Sequence, residues 1–401
     1  MSRKSTLLGA GALGALIASL YVGQATLSAS LAEQPVQAPV FEVDPFWPKP
    51  LPNGWIIGST IGVGVDARDH VFIIHRQESL NARTEAAPAP GSPAGSCCTA
   101  APPVLEFDPE GNLVNAWGGP GEGYSWPSSN HGISIDHLGN VWIGGNGSAD
   151  TTRRVGSDSH ILKFTHDGKF LATIGVPGRP ANSLSRDSFG RVAKVSFDSK
   201  NNEAYVADGY GNRRVAVLDM NSGAIKRFWG AYGNVPSDSN IGPYNPDAPL
   251  AKQFRTPVHC AEPSHDGLVY VCDRPNNRIQ VFRTTGEFVK EQQYAPRTRG
   301  DGAVWDIAFS RDAEQKYLYL ADGKNERVYV IDRQSLTLLT AFGGGGRQPG
   351  QFFAVHSIAT DSKGNIFTTE TYEGKRVQRF AYKGVRTVNT KEQGVLWPTG
   401  R

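Results

Sequence analysis

Three of the nine histidines in this chain share one local setting. His131 in NHGISID, His259 in PVHCAEP and His356 in VHSIATD each stand five residues ahead of a turn residue, namely Asp136, Ser264 and Asp361. Counting back in the same way from Asp66, Asp198 and Ser310 gives Ile61, Ala193 and Trp305, so histidine takes every second place of a six-member register. Three converging neutral imidazoles with open positions are what a catalytic divalent ion requires, and Zn²⁺ is the ion that such a set suits best. The alternative is that each histidine bonds separately to backbone or solvent. A second set lies one strand later, in polar loops: Arg76 in FIIHRQ, Tyr210 in DGYGNRR and Arg274 in CDRPNNR. Two guanidiniums suit a carboxylate held by paired N–H donors, and the phenol is a candidate proton acceptor. Asp208, Asp273 and Asp322 recur too regularly in these loops to be catalytic, and Arg214, Arg278, Arg327 and Arg376 open third strands. Those arginines are expected to pair with the turn acids.

Bringing such distant residues together requires a repeat, and the chain contains one. Val258 to Phe282 reads as an apolar strand, a small turn, a second strand ending in Asp, a polar loop, and an Arg that opens a third strand. Ile61 to Phe107, His131 to Phe164, Ala193 to Leu218, Trp305 to Ile331 and His356 to Phe380 repeat the plan. A fourth short strand closes most copies, at Trp117-Gly118, Ile174-Gly175, Trp229-Gly230 and Phe342-Gly343. Self-similarity at roughly 40 to 65 residues marks a propeller blade. The fold class is therefore all-β, a six-bladed β-propeller with four-stranded antiparallel blades, and the 46 Gly and 26 Pro suit its many turns. In such a ring, equivalent residues of alternate blades point at the axis about 120° apart. Phe41-Glu42-Val43-Asp44 is expected to add to the edge of the sixth blade, since an unclosed ring leaves unpaired strands. Blade one carries an insertion at residues 82–103, either a lid or a disordered excursion, and blade two a smaller one around Asp150 to Asp158. The polar tail beyond Tyr382 suggests no role.

Residues 1–32 read as a secretory signal peptide: Arg3 and Lys4, an apolar run from Leu7 to Val22, and the small residues Ser30-Leu31-Ala32. The run is short of the ~20 apolar residues of a spanning helix, so no stable membrane insertion is expected after leader removal, with an uncleaved anchor as the alternative. Residues 33–401 then form a single propeller domain in the periplasm or outside the cell. Counting from the turn near Asp266 places Cys260 opposite Cys272, either as a disulfide or as two small buried side chains; Cys97 and Cys98 are adjacent in a loop. Lys plus Arg number 41 against 38 Asp plus Glu, which gives no case for nucleic acid as a partner. A monomer acting on a small molecule or a peptide end is expected.

The segments NVWIGGN, AYVADGYGNRRVAVLD, VYVCDRPNNRIQVF and LYLADGKNERVYVID resemble NHL repeats. Phe41 to Phe380 is similar to the peptidyl-α-hydroxyglycine α-amidating lyase domain of peptidylglycine α-amidating enzymes. The resemblance implies a propeller whose zinc sits on three channel histidines, here His131, His259 and His356. It also implies a central Arg, matched by Arg76, a catalytic Tyr, matched by Tyr210, and a second Arg, matched by Arg274. One position departs: the family has an acidic residue after its third zinc histidine, linked to a structural Ca²⁺, and here that residue is Ser357. A hydroxyl cannot replace a carboxylate as a strong Ca²⁺ ligand. On that ground Ser357→Asp is expected to favour the family reaction.

The chemistry implied is a metal-dependent elimination at a carbon that bears a hydroxyl beside a carboxylate, with peptide amide and glyoxylate as the family's products. Arg76 and Arg274 would orient the carboxylate while Tyr210 takes the hydroxyl proton. Two alternatives stand beside it. One is a non-catalytic NHL propeller that binds a peptide or glycan at its rim without a metal. The other is a lactonase-like hydrolase, whose ion is held by carboxylates and amides that this inner register does not offer.

Overall fold

The computed structural model describes residues 35–86, 96–149 and 156–398. The leader expected at residues 1–32, the centre of the 82–103 insertion and most of the insertion around Asp150 to Asp158 lie outside the described residues. Six four-stranded antiparallel sheets follow one another along the chain. Their first strands are Ser59–Val65, Asn130–Ile135, Val192–Asp198, Val258–Pro263, Asp306–Phe309 and Val355–Thr360. Each packs beside the next, and the last returns to the first, which is the six-bladed propeller that the repeats predict.

The second strands Val71–Arg76, Val141–Gly145 and Leu268–Asp273 are buried almost from end to end. Both of their faces meet neighbouring blades, so VFII, VWIG and LVYVC read as unbroken apolar runs where a half-exposed strand would alternate. Rim strands such as Leu113–Trp117 and Ile225–Trp229 are only partly buried.

Val36–Asp44 pairs antiparallel with Arg376–Val388 and becomes the outermost strand of blade six, as expected. Buried Phe41 anchors it between Tyr319 and Phe342 of blade five, each with ring centroids at 5.4 Å. Full burial of such a side chain contributes about 1.5–3 kcal/mol. The tail beyond Tyr382 does more than its polar composition suggests. It runs along Thr337–Gly343, with Ala341 N–H donating to Lys391 O at 2.8 Å and Gly343 N–H to Gly394 O at 2.9 Å.

Three of the four expected arginine pairs are present, Arg214 with Asp208, Arg278 with Asp273 and Arg376 with Glu370, each at 2.8 Å. Arg327 is the exception. It reaches Glu392 in the tail, and Asp322 instead accepts from Asn325 and from the Tyr329 hydroxyl. Cys260 and Cys272 face each other in the ladder and are disulfide-bonded, and so are Cys97 and Cys98. The described flanks of the blade-one insertion are docked: Thr99–Ala100 pairs with Trp55–Ile56, and Glu85 meets Lys375 of blade six at 2.7 Å.

One inter-blade contact makes stability depend on pH. Glu326 accepts the Ala354 N–H at 2.6 Å between blades five and six. Burial raises its pKa from the ordinary 4.5 to about 7, and the charges of Glu370 and Asp322 add to that, against the hydrogen bond. A carboxyl with a raised folded pKa stays protonated longer in the folded state, so stability is lost as pH rises from 4.5 through about 7. Glu326→Gln keeps the acceptor and is expected to stabilise the protein at pH 8 but not at pH 5. Discounted for the solvent that reaches this group, the gain is about 1 kcal/mol. Urea denaturation of both proteins at both pH values checks it, and equal shifts at the two would refute it.

Candidate metal centre

In five of the six first strands the ladder slips by one residue, at Thr60/Gly62, His131/Ile133, Val192/Lys194, Val258/Cys260 and Val355/Ser357. The skipped residues are Ile61, Gly132, Ala193, His259 and His356. A bulge leaves its extra residue unpaired and re-aims its side chain, and two of these residues, His259 and His356, join the channel group. In blade two the extra residue is Gly132, at φ +69°, where an added Cβ would stand 2.4 Å from the Ala193 carbonyl oxygen. Only glycine lets His131 come this close to blade three.

His131, His259 and His356 meet in the channel, with ligand-capable atoms within 4.8 Å of one another and ring centroids 4.8 to 5.2 Å apart. The blades between them orient the rings. His131 Nδ1 bonds to the Ala193 carbonyl at 2.7 Å and His259 Nδ1 to the Trp305 carbonyl at 2.5 Å. Those carbonyls belong to the register partners that are not histidine. An Nδ1–H spent on a carbonyl makes Nε2 the lone-pair nitrogen, as in metal-ligating imidazoles. Burial first, and then the charges of Arg76 and Arg274 and the neighbouring imidazoles, hold all three well below the ordinary histidine range, hence neutral.

Tyr210 closes the group, its Oη lying 2.9 Å from His131 Nε2 and 3.1 Å from His259 Nε2. A single phenolic proton cannot satisfy two lone pairs. A cation among these nitrogens resolves that deficit, so the residues fit a divalent ion held by His131, His259 and His356.

The two expected arginines stand over the ring. Arg274 donates to Tyr210 Oη at 3.4 Å, lies 4.7 Å from the Trp305 ring, and keeps a buried Nε without a partner. Arg76 is held from blade two, by the Asn130 carbonyl at 3.1 Å and Asn146 Oδ1 at 2.7 Å. Sequence reasoning missed Asp301, which sits in a link between blades four and five. Its carboxylate lies 3.4 Å from Arg274 Nη2 and accepts the Tyr372 hydroxyl at 3.0 Å.

Further along the first strands, one residue on at Lys194, Asp306 and Ser357 and three on at Glu262, is a second polar layer. Lys194 Nζ sits 2.8 Å from both Asp306 Oδ1 and Glu262 Oε1, and Ser357 Oγ donates to Asp306 Oδ2 at 2.7 Å. Burial opposes the ammonium charge, but the two carboxylates outweigh it and hold the Lys194 pKa above the ordinary lysine range. Beyond this layer the channel opens into a cavity of about 880 Å³ lined by Lys194, Ser196 and Glu262 but by none of the three histidines. Ser357 thus lies against a blade-five carboxylate that Lys194 pairs. Apart from any effect on the reaction, Ser357→Asp is expected to destabilise the fold. It sets two carboxylates against each other in the interior and costs about 2 kcal/mol of stability. Thermal melts of the two proteins check this, and an unchanged or raised Tm would refute it.

No family model matches the chain. NHL repeat-containing protein 3 of Mus musculus is 24% identical over 314 residues, covering 76% of this chain and 71% of that protein. Peptidyl-glycine alpha-amidating monooxygenase B of Xenopus laevis is 31% identical over 195 residues, 48% of this chain and 19% of its own length. The Rattus norvegicus peptidylglycine alpha-amidating monooxygenase is 25% identical over 245 residues, 60% of this chain and 22% of its own length. The chain thus spans about a fifth of the amidating monooxygenases that it matches. A streptogramin B lyase structure aligns with a TM-score of 0.49 at 13% identity, over 86% of this chain and 98% of that one. The chain is a distant relative of NHL-repeat propellers.

Proposed function

We propose that this protein is an exported, metal-dependent lyase acting on a small molecule or peptide end whose reacting carbon bears a hydroxyl and a carboxylate. The observation that carries the reading is the convergence of three blade-alternating histidines with Tyr210 Oη between two of them and Arg274 beyond it. The similarity to amidating monooxygenases points the same way and suggests an N-acyl-α-hydroxyglycine as substrate. Export rests on the leader at residues 1–32 and agrees with the pairing of all four cysteines, which suits an oxidising compartment.

A divalent ion on His131, His259 and His356, with Zn²⁺ the best fit, would supply electrophilic stabilisation of oxygen charge. The chain's own residues do the rest. Arg274, with Arg76 opposite, takes the substrate carboxylate, which fixes the reacting carbon beneath Tyr210. Tyr210, acting as its phenolate, accepts the hydroxyl proton at Oη, the O–H pair becomes the second C–O bond, and the C–N pair leaves on nitrogen. Nitrogen then takes a proton, so an amide and an α-oxo acid result and atoms balance. Arg274 Nη1 is the cationic donor placed 3.4 Å from Tyr210 Oη.

Incubating the Zn²⁺-loaded protein with an N-acyl-α-hydroxyglycine and assaying glyoxylate and amide tests the reading. Stoichiometric formation of both is expected. A protein that holds its full complement of Zn²⁺ and yields neither would overturn it.

A further inference from the structure

We infer a second divalent-cation site outside the channel, between blades one and two, built from Asp66, His70, Glu106 and His166. One ligand-capable atom of each lies within 4.8 Å of all the others. His70 Nδ1 is 2.6 Å from Glu106 Oε1, and His166 Nε2 is 3.1 Å from that oxygen and 3.4 Å from Asp66 Oδ2. Separations near 3 Å are those of atoms sharing one ion with bonds of about 2.0–2.2 Å. None of the four belongs to the channel site.

The repeats provide an internal control for chance. Asp66 is the turn acid of its blade, equivalent to Asp136 and Asp361. Each of those spends Oδ1 on two backbone N–H groups and Oδ2 on the amide of the residue four places on, Asn140 at 3.0 Å and Asn365 at 2.7 Å. In blade one Oδ1 still accepts the N–H of Arg68 at 2.8 Å and of His70 at 2.9 Å. The residue four places on is His70, however, and it turns to Glu106, which leaves Oδ2 facing the cluster. Glu106 is the second departure. It pairs with Phe72 across the ladder, and the residues at that place in the other blades are Lys163, Val217, Val281, Val330 and Arg379. His166, in the turn after the third strand of blade two, is the third. Its ring stands edge-on to Phe72 at 5.0 Å, which aims Nε2 at the two carboxylates.

Two imidazoles and two carboxylates suit a borderline divalent ion, Zn²⁺ foremost, and four protein ligands make a closed, structural site. The carboxylates are side chains only 5% and 2% exposed, a burial that calls for a counter-cation. Arg68 now covers that position, with Nη2 3.1 Å from Asp66 Oδ2, 3.6 Å from Glu106 Oε1, and in contact with His166 Nε2. Its side chain is 58% exposed and can turn to solvent, so it yields to an ion. An ion here would tie blade one to blade two through residues about a hundred positions apart in the chain.

The test is Zn²⁺ stoichiometry. Chelator-treated wild type is titrated with ZnCl₂ by calorimetry and its metal content measured after gel filtration, beside His166→Ala and His259→Ala. Wild type is expected to bind two equivalents. His166→Ala is expected to lose one, with at least about 100-fold weaker binding at that site, while any turnover stays unchanged. His259→Ala is expected to lose the other. In the combined variant His131→Ala/His259→Ala/His356→Ala, one equivalent should remain and should raise Tm, and adding His166→Ala should remove both effects. If wild type binds one equivalent that His259→Ala abolishes and His166→Ala leaves intact, the second site is refuted and the channel site stands. The reverse pattern refutes the channel site alone.

Discussion

Replacing His259 with alanine is expected to release the channel ion and to lower turnover of an α-hydroxyglycine substrate by about 10³-fold, since loss of several kcal/mol of charge stabilisation corresponds to such a factor. His259 Nε2 is one of three buried nitrogens in the group, its Nδ1 is already spent on the Trp305 carbonyl, and Tyr210 Oη beside it is shared with His131. Removing one imidazole leaves a two-coordinate site. His259 is the skipped residue of a bulge, outside the ladder hydrogen bonds, so the blade has no pairing to lose. Metal content, kcat and Tm measured together check the prediction. A non-catalytic rim-binding propeller would show no channel ion in wild type and no response to the substitution. Retention of both metal and activity by His259→Ala would remove the basis of the proposed enzyme.

Tyr210→Phe is expected to lower kcat by about 10²–10⁴-fold, the range for loss of a positioned general base, with metal content unchanged. Phenylalanine keeps the ring that packs edge-on to His131 at 4.8 Å and deletes only the oxygen that accepts the proton. Keeping one equivalent of channel metal while kcat collapses separates a proton acceptor from a ligand. Should the ion leave together with the hydroxyl, Tyr210 would be a fourth ligand, and the proton would have to go elsewhere. KM is expected to change little, because Arg76 and Arg274 hold the carboxylate end.

Much of the fold was legible from the chain because blade residues repeat with their neighbours. The apolar first strands, the second strands that end in an acid, the closing aromatic-Gly or Ile-Gly pairs and the six-member register are local patterns that recur in the blades now seen. The count of five residues from histidine to turn works even though the ladder slips. The slip falls at the register residue in four blades and one place later in blade two, always ahead of the turn, so the count from the turn crosses it each time. A bulge itself is invisible in sequence, since one extra residue in a strand alters no residue type.

What the sequence alone determined is therefore the wheel, its number of blades, the strand that closes it, and the three histidines placed at one level. Tertiary structure decided whatever depends on a side chain reaching across blades. That includes Arg327 turning to Glu392, Asp301 lying at Arg274, Asp306 pairing with Lys194 beside Ser357, and the approach of His70 and Glu106 to His166. The physical reason is reach. Backbone hydrogen bonding sets strand neighbours within one repeat, whereas a long polar side chain buried between repeats takes whichever partner the packing brings within about 3 Å.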